Sequence, residues 1–176
     1  EAFDQIIAVD NGLKFLYENQ ISPTWIVGDF DTAAPELVEY YRTQTGIPIR
    51  RFNPVKDSTD SQIAIELALE LDSTEITILG GTGTRLDHVL GNIQSLMLAK
   101  NKGVSCMILD EYNRIQLIDG IVRLTKAEQY GRYVSLLPLT TQVAGVSLHG
   151  FKYELTDYTF TSTGSAGLGV SNEITE

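Results

Sequence analysis

Two short acidic segments carry the most chemical information in this chain of 176 residues. One is Gly28-Asp29-Phe30-Asp31 and the other is Lys56-Asp57-Ser58-Thr59-Asp60. Asp29 and Asp31 are spaced i, i+2, and in an extended segment that spacing points both carboxylates to one side. Two such groups repel unless one is protonated or a cation lies between them. Mg2+ suits the pattern, because it takes one or two carboxylates, keeps several waters and bridges to substrate phosphates. Asp57 and Asp60 are spaced i, i+3, about one turn, at a predicted helix N-terminus. Lys56 beside them offers a point charge to a phosphate. Both segments also have a structural explanation. Asp31 can cap the helix that begins near Pro35, and Ser58, Thr59 or Asp60 can cap the next.

A third segment is Gly80-Gly81-Thr82-Gly83-Thr84-Arg85-Leu86-Asp87-His88. The glycines let backbone approach a phosphate closely, and the helix that follows presents free N–H groups to an anion. The segment is neither a Gly-Lys-Ser/Thr phosphate loop nor a GxGxxG dinucleotide fingerprint. Arg85 suits phosphate oxygens. Asp87 is a candidate for metal binding or for orienting a nucleophile, and His88 is more ordinary as a hydrogen-bonding residue. A fourth candidate is Asp10-Asn11-Gly12. His149, among turns of the second half, reads as structural.

The elements that must hold these segments follow from periodicity. Residues 5–9, 23–27 and 75–79 are short apolar runs, and each ends at one of the candidate segments. Residues 47–52 read as an edge or short strand because of Pro48. Pro35 suits the first turn of a helix over 36–41. Ile63, Ala64, Leu67, Ala68 and Leu71 follow the i, i+3, i+4, i+7 rule of an amphipathic helix. A helix over 86–100 and a strand over 104–109 complete an alternating pattern, which predicts a parallel sheet with helices on its faces. Ligands of such sheets bind beyond the carboxyl ends of the strands, where all four segments fall.

After about residue 110 the pattern changes. Short β-prone runs at 114–118, 121–124, 132–137, 143–148, 152–155 and 158–160 are separated by Gly120, Gly131, Gly145 and Gly150. This half predicts an antiparallel sandwich or sheet. The fold expected is therefore α/β, with a parallel-sheet catalytic domain over 1–115 and an antiparallel β-sandwich domain over 116–176.

Composition narrows the partners. A formal charge of −10 argues against binding nucleic acid, which needs a basic face. Hydrophobic residues make up 43% and charged residues 20%, an ordinary globular balance. Cys106 is the single cysteine, so no internal disulfide forms, which fits a reducing, cytoplasmic setting. It sits in an apolar run and reads as a buried strand thiol. Trp25 reads as core or interface. No apolar stretch approaches the roughly 18 residues of a membrane span, and no secretory signal precedes the first strand. The chain opens on Glu1 almost directly in an apolar strand, which suggests an upstream element beyond it.

Taken together, the segments named so far resemble the bacterial type of thiamine pyrophosphokinase. The matching segments are Asp10-Asn11-Gly12, the two acidic segments, the glycine-rich segment with Gly91-Asn92, and Leu168-Gly169-Val170-Ser171-Asn172-Glu173. They occur in the family's order along almost the whole chain. The resemblance implies ATP and thiamine as substrates, AMP and thiamine diphosphate as products, and Mg2+ as cofactor. It also implies a homodimer with the active site between subunits. Asp29, Asp31 and Asp57 match the metal–nucleotide carboxylates. Asp10, Asp60, Arg85 and Asp87 match other active-site positions, and Ser171 and Asn172 match the thiamine-contacting segment. Lys56, Gly81, Thr82, Gly83, His88 and Asn92 are carried over to the nucleotide side. Asn11 and Thr32 depart from the family's usual glycine and serine. Two other readings of the same residues are a metal-dependent phosphohydrolase and a non-catalytic nucleotide or thiamine sensor.

Overall fold

Two units make up the chain, residues Glu1–Leu117 and Ile118–Glu176, in a computed structural model that describes residues 3–30, 34–44, 46–51, 58–163 and 169–175. The first unit runs β1 (Ile7–Val9), α1 (Gly12–Glu18), β2 (Trp25–Gly28), α2 (Pro35–Gln44), β3 (Ile49–Arg51), α3 (Asp60–Glu70), β4 (Glu75–Leu79), α4 (Leu86–Asn101), β5 (Ser105–Leu109) and β6 (Arg114–Gln116). Strand and helix alternate as the periodicity predicts. The described strands form two three-stranded sheets rather than one. β1, β2 and β3 are parallel, with Ala8 opposite Ile26 and Ile26 opposite Ile49. β4 and β5 are parallel, and β6 returns antiparallel to β5.

The unbroken apolar character of β2 has a direct cause. Successive strand residues face opposite sides of a sheet, and both sides here are covered. Ile26 packs with Ala8, Leu13, Val38 and Tyr41 under α1 and α2. Val27 packs on the other side with Ile63 and Leu67 of α3. Neither Ile26 nor Val27 exposes any surface. A strand buried on both faces loses the alternating pattern and reads as a continuous hydrophobic run.

α3 sits between the two sheets. Ile63 and Leu67 reach β2, while Ile65 joins Leu96, Ala99, Cys106 and Ile108 of α4 and β5. Its start is set by Thr59, whose hydroxyl accepts the Gln62 N–H at 3.3 Å. Of the three candidate caps in the sequence, Thr59 takes the role and Asp60 becomes the first helical residue. Pro35 opens α2, as its missing N–H allows. Cys106 is buried, and burial pushes its thiol up to about 11. Trp25 packs against the Val27 cluster.

The second unit contains β7 (Val134–Leu136), β8 (Gln142–Leu148), β9 (Leu155–Thr161) and β10 (Val170–Asn172). All its described pairings are antiparallel, β8 with β9 and β7 with β10. Gly145, at φ 74, lies where the β8–β9 register shifts. Two expected strands are corrected. Residues 121–124 form no strand, and Ile121 is fully exposed, so its β-prone side chains have nothing to pack on. Of residues 152–155 only Leu155 is in a strand, while Phe151 makes an isolated bridge to Ile174. β10 is an added strand that periodicity did not single out. Among the described residues, no helix is long and apolar enough to cross a membrane.

The weight of the core predicts the effect of trimming it. Leu96 is 1% exposed within the α3–α4–β5 cluster. Leu96→Ala is expected to destabilise the protein by about 2–5 kcal/mol, the range for cavity-forming core substitutions. Chemical denaturation reads this directly, and a loss below about 1 kcal/mol would show that this cluster is not the unit's core.

Candidate active site

The contacts of the candidate residues fall into two groups. The first is at the ends of β1 and β2. Asp10 follows β1 in a left-handed conformation, φ 43, which Asp tolerates better than most residues. Its N–H donates to the Val27 carbonyl at 3.1 Å, tying it to the end of β2. This brings its carboxyl across Gly28. A Cβ at position 28 would stand 2.2 Å from Asp10 Oδ1, so only glycine fits beneath that oxygen. Asp10 Oδ1 is buried and accepts no hydrogen bond among the described residues.

The Asp10 carboxyl also lies against that of Asp60, at the start of α3, and within electrostatic reach of Asp29. Burial, then the hydrogen bond and repulsion from Asp60, then repulsion from Asp29 push it up to about 7, against a smaller opposing pull from the Phe30 N–H. Asp10 therefore titrates near neutrality, the range that a proton-transfer group or a carboxyl awaiting a cation occupies. Asp60 is explained by this partnership rather than by capping, which Thr59 performs.

The i, i+2 argument for Asp29 and Asp31 is corrected at Phe30. That residue is left-handed, φ 65, so the backbone there is not extended and the strand pleat does not set how the two carboxylates relate. A bulky residue at positive φ stores backbone strain. Phe30 is kept there by packing on the Ala8–Leu13 cluster, with the Arg51 guanidinium 5.3 Å over its ring. Asp31, Lys56 and Asp57 lie outside the described residues. Among the described residues, no three carboxylate, His or Cys side chains gather as a ligand set. The orphaned oxygen of Asp10 and the hard oxygen donors of Asp29 and Asp60 are the chemistry that Mg2+ takes.

The second group surrounds the glycine-rich turn after β4. Gly80 is left-handed, φ 74, and turns the chain out of the strand. Gly81 is buried, and a Cβ there would lie 3.1 Å from Ile108 and 3.2 Å from Ile78. Asn92, one helical face into α4, donates its Nδ2 to the Gly81 carbonyl at 2.9 Å. Thr82 donates its hydroxyl to Asp110 Oδ2 at 2.6 Å. Gly83 and His88 are exposed. Arg85 and Asp87 form an exposed pair at 2.5 Å. The hydrogen bond from Arg85 holds the Asp87 carboxyl below its ordinary value, which makes it a poor general base. Arg85 at the N-cap makes no side-chain bond to the first turn of α4, where the Asp87 carboxylate accepts the His88 N–H.

Asp110 is the residue that spacing missed. It follows β5 and accepts from the N–H groups of Tyr112 and Asn113 at 2.8 and 2.6 Å. The signal was present as Asp110-Glu111-Tyr112-Asn113, a strand end followed by an Asx-type turn.

In the second unit, Ser171 is exposed on β10 opposite Ser135. Asn172 is buried, at 2% exposure, and its amide is committed locally. Its Nδ2 donates to the Tyr153 carbonyl at 2.6 Å, and its Oδ1 accepts the Tyr153 N–H at 3.0 Å. Glu173 receives Arg132 at 3.4 Å and Lys152 at 3.7 Å.

A family model described as thiamin pyrophosphokinase, catalytic domain, matches residues 1–108. A second, described as thiamin pyrophosphokinase, vitamin B1 binding domain, matches residues 121–176. The chain belongs to the thiamin pyrophosphokinase family. Thiamine pyrophosphokinase of Bacillus subtilis (strain 168) is 34% identical over 169 residues, spanning 96% of this chain and 77% of that protein. The crystal structure of thiamine pyrophosphokinase from Bacillus subtilis superposes with a TM-score of 0.83 at 30% identity, covering 97% of this chain and 78% of that one. That of thiamin pyrophosphokinase from Geobacillus thermodenitrificans gives 0.82 at 30% identity, covering 100% and 80%.

For this thiamin pyrophosphokinase family member the Asp10 environment sets a pH dependence. Asp10 holds its proton more tightly folded than unfolded. Its contribution to stability is therefore full below pH 3.8, declines as pH rises and is lost above about 7. Asp10→Asn keeps the neutral form at every pH. In metal-free buffer the variant is expected to gain on the native protein between those values, read as the difference in urea midpoints. A difference independent of pH would refute the assignment.

Proposed function

We propose that this chain transfers the pyrophosphoryl group of ATP to the hydroxyl of thiamine, giving thiamine diphosphate and AMP. The observation that carries this reading is the pairing, in one chain, of the catalytic and vitamin B1 binding family models. The geometry agrees with it. The carboxylates at the ends of β1 and β2 are suited to Mg2+, and the glycine-rich turn with Arg85 is suited to polyphosphate oxygens.

In this reading the thiamine oxygen forms a bond to the β-phosphorus as the bond to the oxygen bridging to the α-phosphorus breaks. AMP leaves, and the hydroxyl proton passes to solvent or a nearby carboxylate. Such transfers rest on alignment and charge neutralisation more than on covalent chemistry. Asp29, Asp31 and Asp57 would hold Mg2+, and Asp10 and Asp60 would add further carboxylates to the site. When bound, the metal supplies positive charge to the phosphates. Arg85 would exchange Asp87 for phosphate oxygens, Lys56 would add a second cation, and Gly81, Thr82, Gly83, His88 and Asn92 would shape the nucleotide side. Ser171 would contact thiamine, whose thiazolium cation suits an acidic protein. Asn172 would act by holding Tyr153 in place. A homodimer with the site at the subunit interface, in a reducing cytoplasm where Cys106 stays a thiol, completes the proposal.

The test is incubation with Mg-ATP, with and without thiamine, followed by product analysis. AMP and thiamine diphosphate are expected together, only when thiamine is present. AMP without thiamine, or orthophosphate, would point to a phosphohydrolase, and no product at all to a sensor. Asp31→Asn is expected to lower turnover by about 100-fold, the scale of losing one electrostatic element of a site, while the thermal transition is kept. Near-normal turnover at saturating Mg2+ would remove Asp31 from the metal site.

A further inference from the structure

The glycine-rich turn after β4 is anchored twice. Asn92 holds the Gly81 carbonyl at 2.9 Å, and Asp110 holds the Thr82 hydroxyl at 2.6 Å. Asp110 is itself braced. Its Oδ1 accepts the Tyr112 N–H at 2.8 Å, the Asn113 N–H at 2.6 Å and the Asn113 side-chain amide at 3.1 Å. A hydroxyl has one proton to give. Thr82 gives it to Asp110 and so has none for a phosphate oxygen, which is an acceptor. The donors left at Gly81–Gly83 are main-chain N–H groups, with the Arg85 guanidinium beyond them at the start of α4.

We propose that Asp110 is a positioning residue for the nucleotide site: it orients Thr82 and fixes the turn so that main-chain N–H groups, rather than the Thr82 hydroxyl, meet the polyphosphate. This rests on the reading of the chain as an ATP-using enzyme. The arrangement is consistent with the charge state of Asp110. Its donors, Thr82 first and the Tyr112 N–H next, hold the carboxyl down to about 2, so it stays an acceptor at any working pH. The close fit of Gly81 against Ile108 and Ile78 removes the slack that would otherwise let the turn move without Thr82.

The experiment measures Mg-ATP dissociation constants by calorimetry without thiamine, and separately steady-state turnover with thiamine saturating. Native protein, Asp110→Ala, Thr82→Val and the double variant are compared. Each single variant is expected to raise the ATP dissociation constant and KM about tenfold, the scale of one hydrogen bond to a charged group. kcat and the thiamine KM should change far less. A purely structural role would instead cut the active fraction and leave KM alone. The double variant is expected to match the worse single, since both remove one contact. Unchanged ATP affinity in either single, or effects that multiply to about a hundredfold in the double, would overturn the proposal. If Asp110→Ala fails to fold because it also frees the Tyr112–Asn113 turn, Thr82→Val decides alone. Native protein that binds Mg-ATP yet makes no thiamine diphosphate would overturn the proposed function, while the calorimetric ratios still decide Asp110. Native protein that binds no Mg-ATP would overturn both.

Discussion

One carboxylate oxygen, Oδ1 of Asp10, lies over the α-carbon of Gly28 with no room for a side chain between them. Much of the first unit is arranged around that contact. It requires glycine at the end of β2. It requires Asp10 to leave β1 in a left-handed turn, which the 3.1 Å bond to the Val27 carbonyl secures. It also places the carboxyl where Asp60 and Asp29 raise its proton affinity. Left alone, acidic groups this close would separate, since like charges and burial both oppose the ionised form.

What prevents separation is the core. Asp60 is the first residue of α3, and α3 is fixed from two directions. Ile63 and Leu67 bind it to the far face of β2, and Ile65 binds it to α4 and β5. Buried apolar side chains of this kind contribute about 1.5–3 kcal/mol each, enough together to hold a repelling pair in place. The same helix thus links the packing of both sheets to the electrostatics at one end of β1. Strain follows the same logic at Phe30, whose left-handed backbone is held by its ring packing on the Ala8–Leu13 cluster.

The legibility of these features in the sequence follows the range of the interactions behind them. β2 is readable because burial on both faces leaves a continuous apolar run. Helix boundaries were readable to within a residue at α4, because its periodicity is long. Residues 121–124 misled because β-propensity describes a fit to a half-buried pleated surface, and Ile121 has no such surface. The capping role went to Thr59 rather than Asp60 for a reason periodicity cannot carry: Asp60 was recruited by Asp10, 50 positions earlier in the chain, counting 60 minus 10. The equal spacing of Asp29 and Asp31 implied a shared side only on the assumption of an extended backbone, which Phe30 breaks. Asp110 went unnoticed because its partner Thr82 is 28 residues away, while the local Asx-type turn reads as ordinary loop chemistry.

The division of labour between the two groups of residues addresses a problem set by charge. A protein of net charge −10 that presents clustered carboxylates does not attract a polyphosphate by its long-range field. In the proposed reaction the anion would arrive with its own cations, and the carboxylates would receive the cation rather than the anion. On the glycine-rich side the polarity is reversed. There Asp110 and Asn92 use side-chain groups to tie down the turn, so the donors left at Gly81–Gly83 are main-chain N–H groups, with Arg85 beyond them. Main-chain donors suit this role in an acidic protein, because they attract phosphate oxygen at close range without adding a titratable group. The Asp10 proton serves a related end. Near neutrality the carboxyl is divided between its two forms, so part of the repulsion is relieved without a cation, and a bound cation would favour the ionised form.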